Sequence, residues 1–430
     1  MKLITYYSIS IIIIAFISLK SPPVHSNGIS ISAQSCEYDD VSMALSNIND
    51  GENLLIPSGI CDWQGNSLEI NKEISITGAG IDANGTTLIR SEPTSAPLIT
   101  FNCLSRPLAF TVEQIKFQGR FESSSTIPTP DRGLLSAHGC QDFVISDNEF
   151  TGFAATGIDI TDFTNNNPRN SGVIANNRFI ENFRIGLGYG ISVSSGGRNE
   201  LEIPFGSESF VFIEDNYFAK NRHAVTSNFD AAYVLRHNHI EDNYPNFAAV
   251  DTHGQTDPAP NPDPEGIGGR GGTKVIEVYN NTIMQNEEID FLHNTGGVNN
   301  PGFAGIGLRG GAAVIFDNEI TNYRKPIVLL VETSQACSEL SPPLVDKQPS
   351  DVYLWNNNLE DNRGAAVTGL SFGLQGECEH LFREGVEYFF DRPAGYTPYP
   401  YPHPLRNLSV GSEDDILDFV PAIISGNRNQ

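Results

Sequence analysis

The sequence predicts an all-β protein built as a parallel β-helix, a solenoid of stacked coils. A short unit occurs seven times, in which Asp, Asn or His is followed by Asn, any residue, and then Phe, Ile or Leu. An aliphatic residue always stands three positions before the asparagine, and an apolar residue always stands two positions after it. Two columns that are apolar in every unit indicate an interior. Because no single coil can bury its apolar side alone, the coils must stack.

The asparagine between the two apolar columns predicts a bend. The seven asparagines are Asn148, Asn177, Asn216, Asn238, Asn281, Asn318 and Asn357. Asparagine tolerates the left-handed backbone conformation, and its amide can bond backbone groups at a turn. We expect the stacked amides to bond one another in a ladder. The longer intervals between units must carry loops on one side of the coil, where repeat scaffolds commonly place their function.

The first 26 residues predict a signal peptide, with Lys2 as the positive start, an apolar run over residues 9–19 and a small-residue cleavage site at 24–26. A retained anchor is the alternative, although the run is short for a membrane span. Cleavage removes Lys2 and Lys20 and no acid, so the net charge of −26 becomes −28. We expect a secreted, periplasmic or cell-surface monomer that contacts no membrane after cleavage and binds no nucleic acid through a basic field.

The six cysteines of an exported chain predict disulfides. Sequence alone allows about 15 pairings of six cysteines. We favour the local ones, Cys36–Cys61, Cys103–Cys140 and Cys337–Cys378, each of which would close a loop and restrain the unfolded chain. A metal site is the weaker alternative, because the sequence has no CxxC or Cys–His cluster.

Three segments follow the signal peptide. Residues 27–66 predict an N-terminal cap, in which the helical spacing of Val41, Ala44, Leu45 and Ile48 indicates a helix with Asp39 or Asp40 as its N-cap. Such a capping helix would hide the edge of the first coil. Residues 67–378 predict the body of the solenoid, with strands that include 110–117. Residues 379–430 predict a tail and cap that pack on the coil, because the Pro- and Tyr-rich stretch 396–405 favours an extended chain.

A second strand follows each bend, and five of these strands align. Strand alternation places one set of side chains inside the coil: Ile158, Ile191, Val225, Val250 and Ile306. It places the next residues outside: Asp159, Ser192, Thr226, Asp251 and Gly307.

The outward positions near Asp251 predict a functional patch. His253 lies two residues further along the same strand, and Arg309 occupies the corresponding position one coil later. Histidine transfers protons near neutral pH, and arginine binds a carboxylate at two points. The alternative is that Asp251 and His253 only cap a strand and bind loop backbone.

Three further residues belong to the same candidate site. Arg222 and His223 lie just before the corresponding strand one coil earlier, and Arg270 lies in the loop 255–272 that follows Asp251. The same loop carries Asp257, Asp263 and Glu265, which are candidate ligands for Ca²⁺, although their spacing matches no known calcium loop.

An aromatic column offers a different kind of surface. Tyr279, Phe316 and Trp355 stand two positions before successive bend asparagines and should face outward. Exposed rings in a row could stack on sugars. We favour the alternative that the Pro- and Tyr-rich tail covers them.

Several segments resemble a known family. The sequences RHAVTSN (222–228), AVDTHG (249–254), GGRGGT (268–273) and YPHPL (401–405), together with the bends and the opening Cys36 to Cys61 segment, resemble right-handed parallel β-helix proteins of the pectate-lyase-like superfamily. The resemblance implies that fold, secretion and activity on carbohydrates. Well-studied members are polysaccharide lyases, and glycoside hydrolases, esterases and non-enzymatic surface proteins share the scaffold.

The leading hypothesis is a polysaccharide lyase that cleaves a uronate-containing polymer by β-elimination. His253 or His223 would act as base, and Arg222, Arg270 or Arg309, or a bound Ca²⁺, would neutralise the uronate carboxylate. A glycoside hydrolase would need two carboxyl groups roughly 5 to 9.5 Å apart, whereas three coils separate Asp251 from Asp159, about 14 Å. A non-enzymatic adhesion protein is the third hypothesis.

Overall fold

The computed structural model describes residues 28–120, 130–162, 169–184, 186–195, 203–241, 244, 247–254, 272–285, 303–332, 336–341, 348–373 and 378–408. In these ranges the chain winds through three sheets in turn. Each strand inside a sheet pairs in parallel with the equivalent strands one coil earlier and one coil later, and the first and last strands of a sheet have one such partner. This arrangement confirms the predicted right-handed parallel β-helix.

The sheets are named here in the order in which a coil passes through them. Sheet A consists of Ser30–Ser32, Asn53–Leu55, Ser75–Thr77, Thr111–Glu113, Phe143–Ser146, Gly172–Ala175, Val211–Glu214, Ala232–Arg236, Val275–Tyr279, Gly311–Phe316, Pro349–Trp355 and Tyr388–Phe389. Sheet B consists of Gly59–Asp62, Thr86–Ile89, Ile115–Gln118, Glu149–Thr151, Arg178–Ile180, Tyr217–Ala219, His239–Glu241, Thr282–Met284, Glu319–Tyr323 and Asn358–Asp361. Sheet C consists of Leu68–Ile70, Pro97–Asn102, Arg132–Ala137, Thr156–Asp162, Tyr189–Ser195, His223–Ser227, Ala248–Thr252, Ala304–Leu308, Lys325–Leu329 and Ser371–Phe372.

The two predicted apolar columns form the core. The aliphatic column before the bends runs in register through sheet A: Ile145, Ile174, Ile213, Leu235, Val278, Ile315 and Leu354. The column after the bends runs in register through sheet B: Phe150, Phe179, Phe218, Ile240, Ile283, Ile320 and Leu359. The phenylalanine rings of this second column stack at centroid distances of 5.3 and 4.7 Å. Nearly all of these side chains are buried, as the repeat predicted.

The asparagine ladder is confirmed along its whole length. From Asn148 to Asn318, each Nδ2 donates to the Oδ1 of the asparagine one coil later, at 2.9–3.1 Å. The left-handed residue of each bend is the one before the ladder asparagine, for example Asp215, with φ at 56°. A second, unpredicted ladder joins Asn182 to Asn221 at 2.8 Å, where the chain leaves sheet B.

A left-handed bend between sheets A and B also explains why the prediction of a single strand over residues 110–117 is wrong. The chain forms Thr111–Glu113 in sheet A and Ile115–Gln118 in sheet B, with Gln114 between them at φ 60°. A residue in this left-handed conformation turns the backbone out of one sheet and into the next. The sequence pattern missed the bend because no asparagine follows Gln114.

The N-terminal helix caps the first coil as predicted. It spans Tyr38–Asn47, and Val41, Ala44 and the following Ile48 are buried in the same core as the first strands. Its N-cap is Glu37 and not an aspartate. Asp39 and Asp40 lie instead in the first turn, where negative charge complements the helix dipole.

All three predicted disulfides form: Cys36–Cys61, Cys103–Cys140 and Cys337–Cys378. Short 3₁₀ helices occupy Cys337–Glu339, Glu379–Leu381 and Pro404–Leu408. Among the residues that the structure describes, no helix has the length and apolarity that a membrane crossing requires. The predicted signal peptide and residues 409–430 of the predicted tail and cap lie outside the described residues.

The C-terminal tail lies across the outer face of sheet A. The rings of Tyr279, Phe316 and Trp355 stack on successive coils at 4.5 and 4.4 Å, and Tyr396 packs edge-on against Phe316 and Trp355. Tyr396 also donates its hydroxyl hydrogen to Glu277 at 2.7 Å. The aromatic column is therefore covered by the tail, the alternative favoured from the sequence, and is not a free sugar-binding strip.

Candidate functional site

Sheet C positions the candidate site. Asp159, Ser192, Thr226, Asp251 and Gly307 lie side by side on successive strands, in the predicted register. The adjacent column, from Ile158 to Ile306, is buried in the core. The five-strand alignment therefore places Asp251 on the outer face of the sheet.

A corner in the backbone at the start of the sheet C strands places a second column of side chains on the outer face of the sheet. Ala224 and Val225 are consecutive, yet both belong to the core. The equivalent Gly190 leaves no room for a Cβ atom, which would lie 2.9 Å from the ring of Phe218. Side chains along a strand normally alternate between the two faces of the sheet. Two consecutive inward residues shift this alternation by one position, so the residue before them faces outward. This brings His223 to the outer face, one coil from Asp251.

Asp251 is the centre of the cluster. Its Oδ2 accepts a hydrogen bond from Nη2 of Arg309, and it lies 3.3 Å from Nε2 of His253 and 3.6 Å from Nε2 of His223. The Asp251 side chain is only 7% exposed. The structure thus brings together four of the six residues that the sequence singled out.

Glu332 completes the cluster and was not predicted. Its Oε2 lies 2.9 Å from Nη1 of Arg309 and 3.4 Å from Nδ1 of His253. The sequence held a usable signal, because the strand Lys325–Leu329 pairs with Ala304–Leu308 and continues the aligned columns by one coil. Extending the alignment would have brought the chain just after Leu329 next to Arg309.

The cations hold both carboxylates ionised. Burial alone would raise the pKa of Asp251, but the charge of Arg309 and the hydrogen bond from His253 keep that pKa well below its usual range. Burial likewise opposes ionisation of Glu332, and the hydrogen bond from His253 and the charge of Arg309 lower its pKa. Arg309 is therefore shared between two carboxylates, and neither carboxylate holds a proton near neutral pH.

His223 is a neutral, buried imidazole. Burial lowers its pKa to about 3, although Asp251 opposes the shift. Its Nδ1 lies 2.5 Å from the carbonyl oxygen of Ala248, which can only accept, so Nδ1 carries the proton. Nε2 therefore presents a lone pair. Among the described residues this nitrogen has no hydrogen-bond partner.

His253 differs from His223 in its electrostatic environment. Burial opposes its protonation, but Asp251 and Glu332 together raise its pKa. Nη2 of Arg309 lies 2.7 Å from Nε2 of His253 and can donate only when that nitrogen is unprotonated. The ring lies between two carboxylates that favour its proton and a guanidinium that competes for its nitrogen.

Arg222 is a cation held by aromatic rings. Its guanidinium carbon lies 4.5 Å from the ring centre of Phe247 and 5.7 Å from that of Tyr189. Nη1 donates to the Tyr189 hydroxyl at 3.3 Å, and the Tyr189 and His223 rings are 5.6 Å apart. Within the described parts of the chain, Arg222 forms no ion pair. Tyr189 is a second residue that the sequence missed, because the alignment began one position after it.

The remaining predictions for the site fall outside the described residues. These are Arg270, the calcium candidates Asp257, Asp263 and Glu265, and most of the loop 255–272. Among the residues that are described, no group of three His, Cys, Asp or Glu side chains is arranged to hold a metal ion. The two carboxylates of the cluster are already bound by Arg309 and His253, which leaves few oxygen ligands for a cation such as Ca²⁺.

No protein-family model matches the sequence, and no curated protein matches it. Solved structures of β-helix proteins are similar at low identity. ORF18 of Geobacillus virus E2 has 13% identity and a TM-score of 0.43, over 80% of this chain and 58% of that one, so this chain spans less than two thirds of the viral protein. An alginate lyase from Paenibacillus sp. str. FPU-7 has 14% identity and a TM-score of 0.37, over 80% of this chain and 90% of that one.

A third similar structure is the A-module of the mannuronan C-5 epimerase AlgE4 from Azotobacter vinelandii. It has 11% identity and a TM-score of 0.41, over 79% of this chain and 88% of that one. The strand pairing of this chain itself establishes the β-helix, and what the chain can do chemically depends on the cluster around Asp251.

Proposed function

We propose that this protein is an exported polysaccharide lyase that cleaves a uronate-containing glycan by β-elimination at the cluster around Asp251. The observation that carries the proposal is the lone pair of His223 Nε2, which is buried and without a partner among the described residues. The His223 ring packs near Tyr189, whose hydroxyl accepts a hydrogen bond from Arg222. A base beside an available cation suits removal of the proton on the carbon that bears a carboxylate. The three disulfides are typical of exported proteins.

Arg222 is the residue best suited to bind the uronate carboxylate. Arg309 is already engaged by Asp251 and Glu332, so it positions these groups and is not available as a clamp. Arg222 has no carboxylate partner in the described structure and is flanked by Tyr189 and Phe247. A two-point contact with the substrate carboxylate would stabilise the negative charge that develops when C5 loses its proton.

The two histidines differ in protonation as a base and an acid require: His223 is unprotonated near neutral pH, and the raised pKa of His253 favours its protonated form. Nε2 of neutral His223 accepts the C5 proton, and Asp251, 3.6 Å away, stabilises the imidazolium that forms. The electron pair of the C5–H bond becomes the C4–C5 double bond, and the C4–O4 bond breaks with its pair on oxygen. His253, whose pKa is raised, donates a proton to that oxygen. Opposite shifts in neighbouring groups are a recurrent mark of acid–base pairs.

The cluster supports hydrolysis less well. A glycosidase needs one carboxyl group that is protonated as general acid, whereas the pKa values of Asp251 and Glu332 are both lowered. The strand register also keeps Asp159 three coils from Asp251.

The test is a screen of uronate polymers for absorbance from unsaturated ends, with and without Ca²⁺. We expect product with the wild type, and a loss of roughly a hundredfold or more in kcat/KM for His223→Ala and Arg222→Gln. Arg178→Gln is the matched control, because Arg178 is 52% exposed and lies on sheet B. It should retain full activity.

Three outcomes would contradict the proposal. Absence of unsaturated product from every uronate polymer would exclude the lyase. New reducing ends without unsaturation would indicate a hydrolase, and glycan binding without turnover would indicate an adhesion protein.

A further inference from the structure

The polar surface around His223 and Asp251 continues along the outer face of sheet C. One column follows the corner of the coil, where Arg132, Thr156, Tyr189 and His223 pair in register on four successive strands. A second column begins one coil after Arg132. It carries Asp159, Ser192 and Thr226 on successive strands and reaches Asp251 on the next strand. Both columns end at the proposed reaction centre.

The far end of this strip is an arginine–aspartate pair. Nε of Arg132 donates to Oδ2 of Asp159 at 3.0 Å, and Nη1 donates to the carbonyl oxygen of Ser95 at 3.0 Å. These two contacts fix the guanidinium and use neither hydrogen of Nη2, for which no contact with a described residue is found. The Arg132 side chain is 30% exposed, whereas Asp159 is 16% exposed. The pair therefore presents a fixed donor beside a carboxylate acceptor.

The spacing of the strip fits an extended glycan. Three coil steps separate Arg132 from His223 and Asp159 from Asp251. At about 4.8 Å per coil, this is about 14 Å. One coil step is close to the length that one pyranose residue adds to an extended chain. Ser192 and Thr226, between the two ends, supply hydroxyl groups on the outer face.

We propose that Arg132 and Asp159 form a distal subsite that binds a uronate residue about three sugars away from the residue held at Arg222. The sugar carboxylate accepts a hydrogen bond from Nη2 of Arg132, and a ring hydroxyl donates to Asp159. This assignment rests on the proposed function, which places a uronate at Arg222. The enzyme then selects chains long enough to span three coils, and short oligomers bind only at the reaction centre.

The test measures affinity against chain length without turnover. Oligogalacturonates and oligomannuronates of two to six residues are titrated calorimetrically into His223→Ala, with and without the additional change Arg132→Gln. We expect the affinity for the longest oligomers to exceed that for the shortest by about tenfold, the value of one charge-assisted contact, and Arg132→Gln to remove this increase. Arg178→Gln in the same background should retain it.

The kinetic readout separates positioning from a general loss of structure. In the wild-type background, Arg132→Gln should raise KM for long oligomers, leave KM for short ones unchanged, and leave kcat unchanged. If Arg132→Gln melts below the wild type, Arg132→Lys replaces it, because lysine can still pair with Asp159 but presents a single point charge. The increase in affinity from short to long oligomers should be smaller in the Arg132→Lys variant than in the protein with Arg132.

The proposed subsite is refuted if affinity depends equally on chain length with and without Arg132, or if affinity depends on chain length in neither protein. Unsaturated product without a length-dependent gain in affinity would leave the lyase intact and refute only the subsite. If the gain in affinity for long oligomers requires Arg132 but the wild type forms no unsaturated product, the subsite is supported as a glycan-binding site and only the lyase activity is refuted.

Discussion

At the scale of single residues, the contrast between the two histidines shows how burial and charge compete. His223 and His253 both lie within 4 Å of the same Asp251 oxygen. His223 is 4% exposed, so the cost of desolvating an imidazolium dominates, and the charge of Arg222 also lowers its pKa. His253 is 28% exposed and lies between two carboxylates, which dominate instead. A histidine's position in the fold thus decides its charge, which its sequence context does not reveal.

The low pKa of His223 predicts a pH dependence of stability. In the unfolded chain the ring takes up a proton near its ordinary pKa of 6.5, whereas the folded protein resists this down to about pH 3. Between these values the unfolded state binds more protons, so stability from this residue is complete above pH 6.5 and decreases as the pH falls. The amide of the His223→Asn variant can still donate to Ala248 but does not titrate. Between about pH 6.5 and 5, the free energy of unfolding should therefore decrease by about 2 kcal/mol less in this variant than in the wild type.

Urea unfolding at both pH values measures this difference, because the other titrating groups are common to both proteins. Equal losses in the two proteins would show that His223 takes up a proton in the folded state, and would contradict its proposed role as a neutral base.

At the scale of structural elements, the bends are stabilised by amides that work as a chain. Asn238 accepts hydrogen bonds from the backbone and side chain of Asn216, and its Nδ2 donates to Ile213, Arg236 and Asn281. Every polar atom of this buried side chain is used. Removing it leaves donors and acceptors on both neighbouring coils without partners.

Asn238→Ala should therefore lower the free energy of unfolding by about 3 kcal/mol or more. Asn357→Ala is the control, because Asn357 is the last described member of the ladder, is only half buried, and lies where water can replace its amide. Chemical denaturation of the two variants compares them. A loss at Asn357 equal to that at Asn238 would mean that the amides act independently and not as a ladder.

At the scale of the whole molecule, the C-terminal tail completes the outer face of sheet A. Arg236 and Glu214 form a fully buried ion pair. Arg236 donates to the carbonyl oxygens of Tyr399 and Pro400, and Glu214 accepts from the backbone of His403. The tail thus supplies several of the partners that this buried pair requires. It also covers an apolar cluster on the same face.

A chain that ends at Asp391 should melt at a lower temperature than one that ends at Leu408, and should bind a dye specific for exposed apolar surface. A synthetic peptide of residues 392–408 should restore the melting temperature, because the contacts it makes are to preformed strands. Scanning calorimetry with and without the peptide measures both effects. Equal melting of the two chains would show that the tail contributes nothing to stability.

The repeating pattern of the sequence is enough to predict the stacked coils. The apolar columns, the bend asparagines and the five aligned strands of sheet C each repeat a local rule, and a repeat makes the contacts between neighbours predictable from spacing alone. The same register placed Asp251, His253 and Arg309 together. The disulfide pairs followed because each joins cysteines that lie near one another along the coil.

The departures from the repeat depend on packing between distant parts of the chain. The corner at Ala224 and Val225 reverses the strand alternation and brings His223 and Tyr189 to the outer face, and this depends on which ring lies behind each strand. Glu332 lies beyond the end of its strand, so the extended alignment brings the chain near Arg309 but does not predict which side chain contacts it. The protonation of His223 and His253 and the engagement of Arg309 depend on burial and on several charges at once, so these properties exist only in the folded chain.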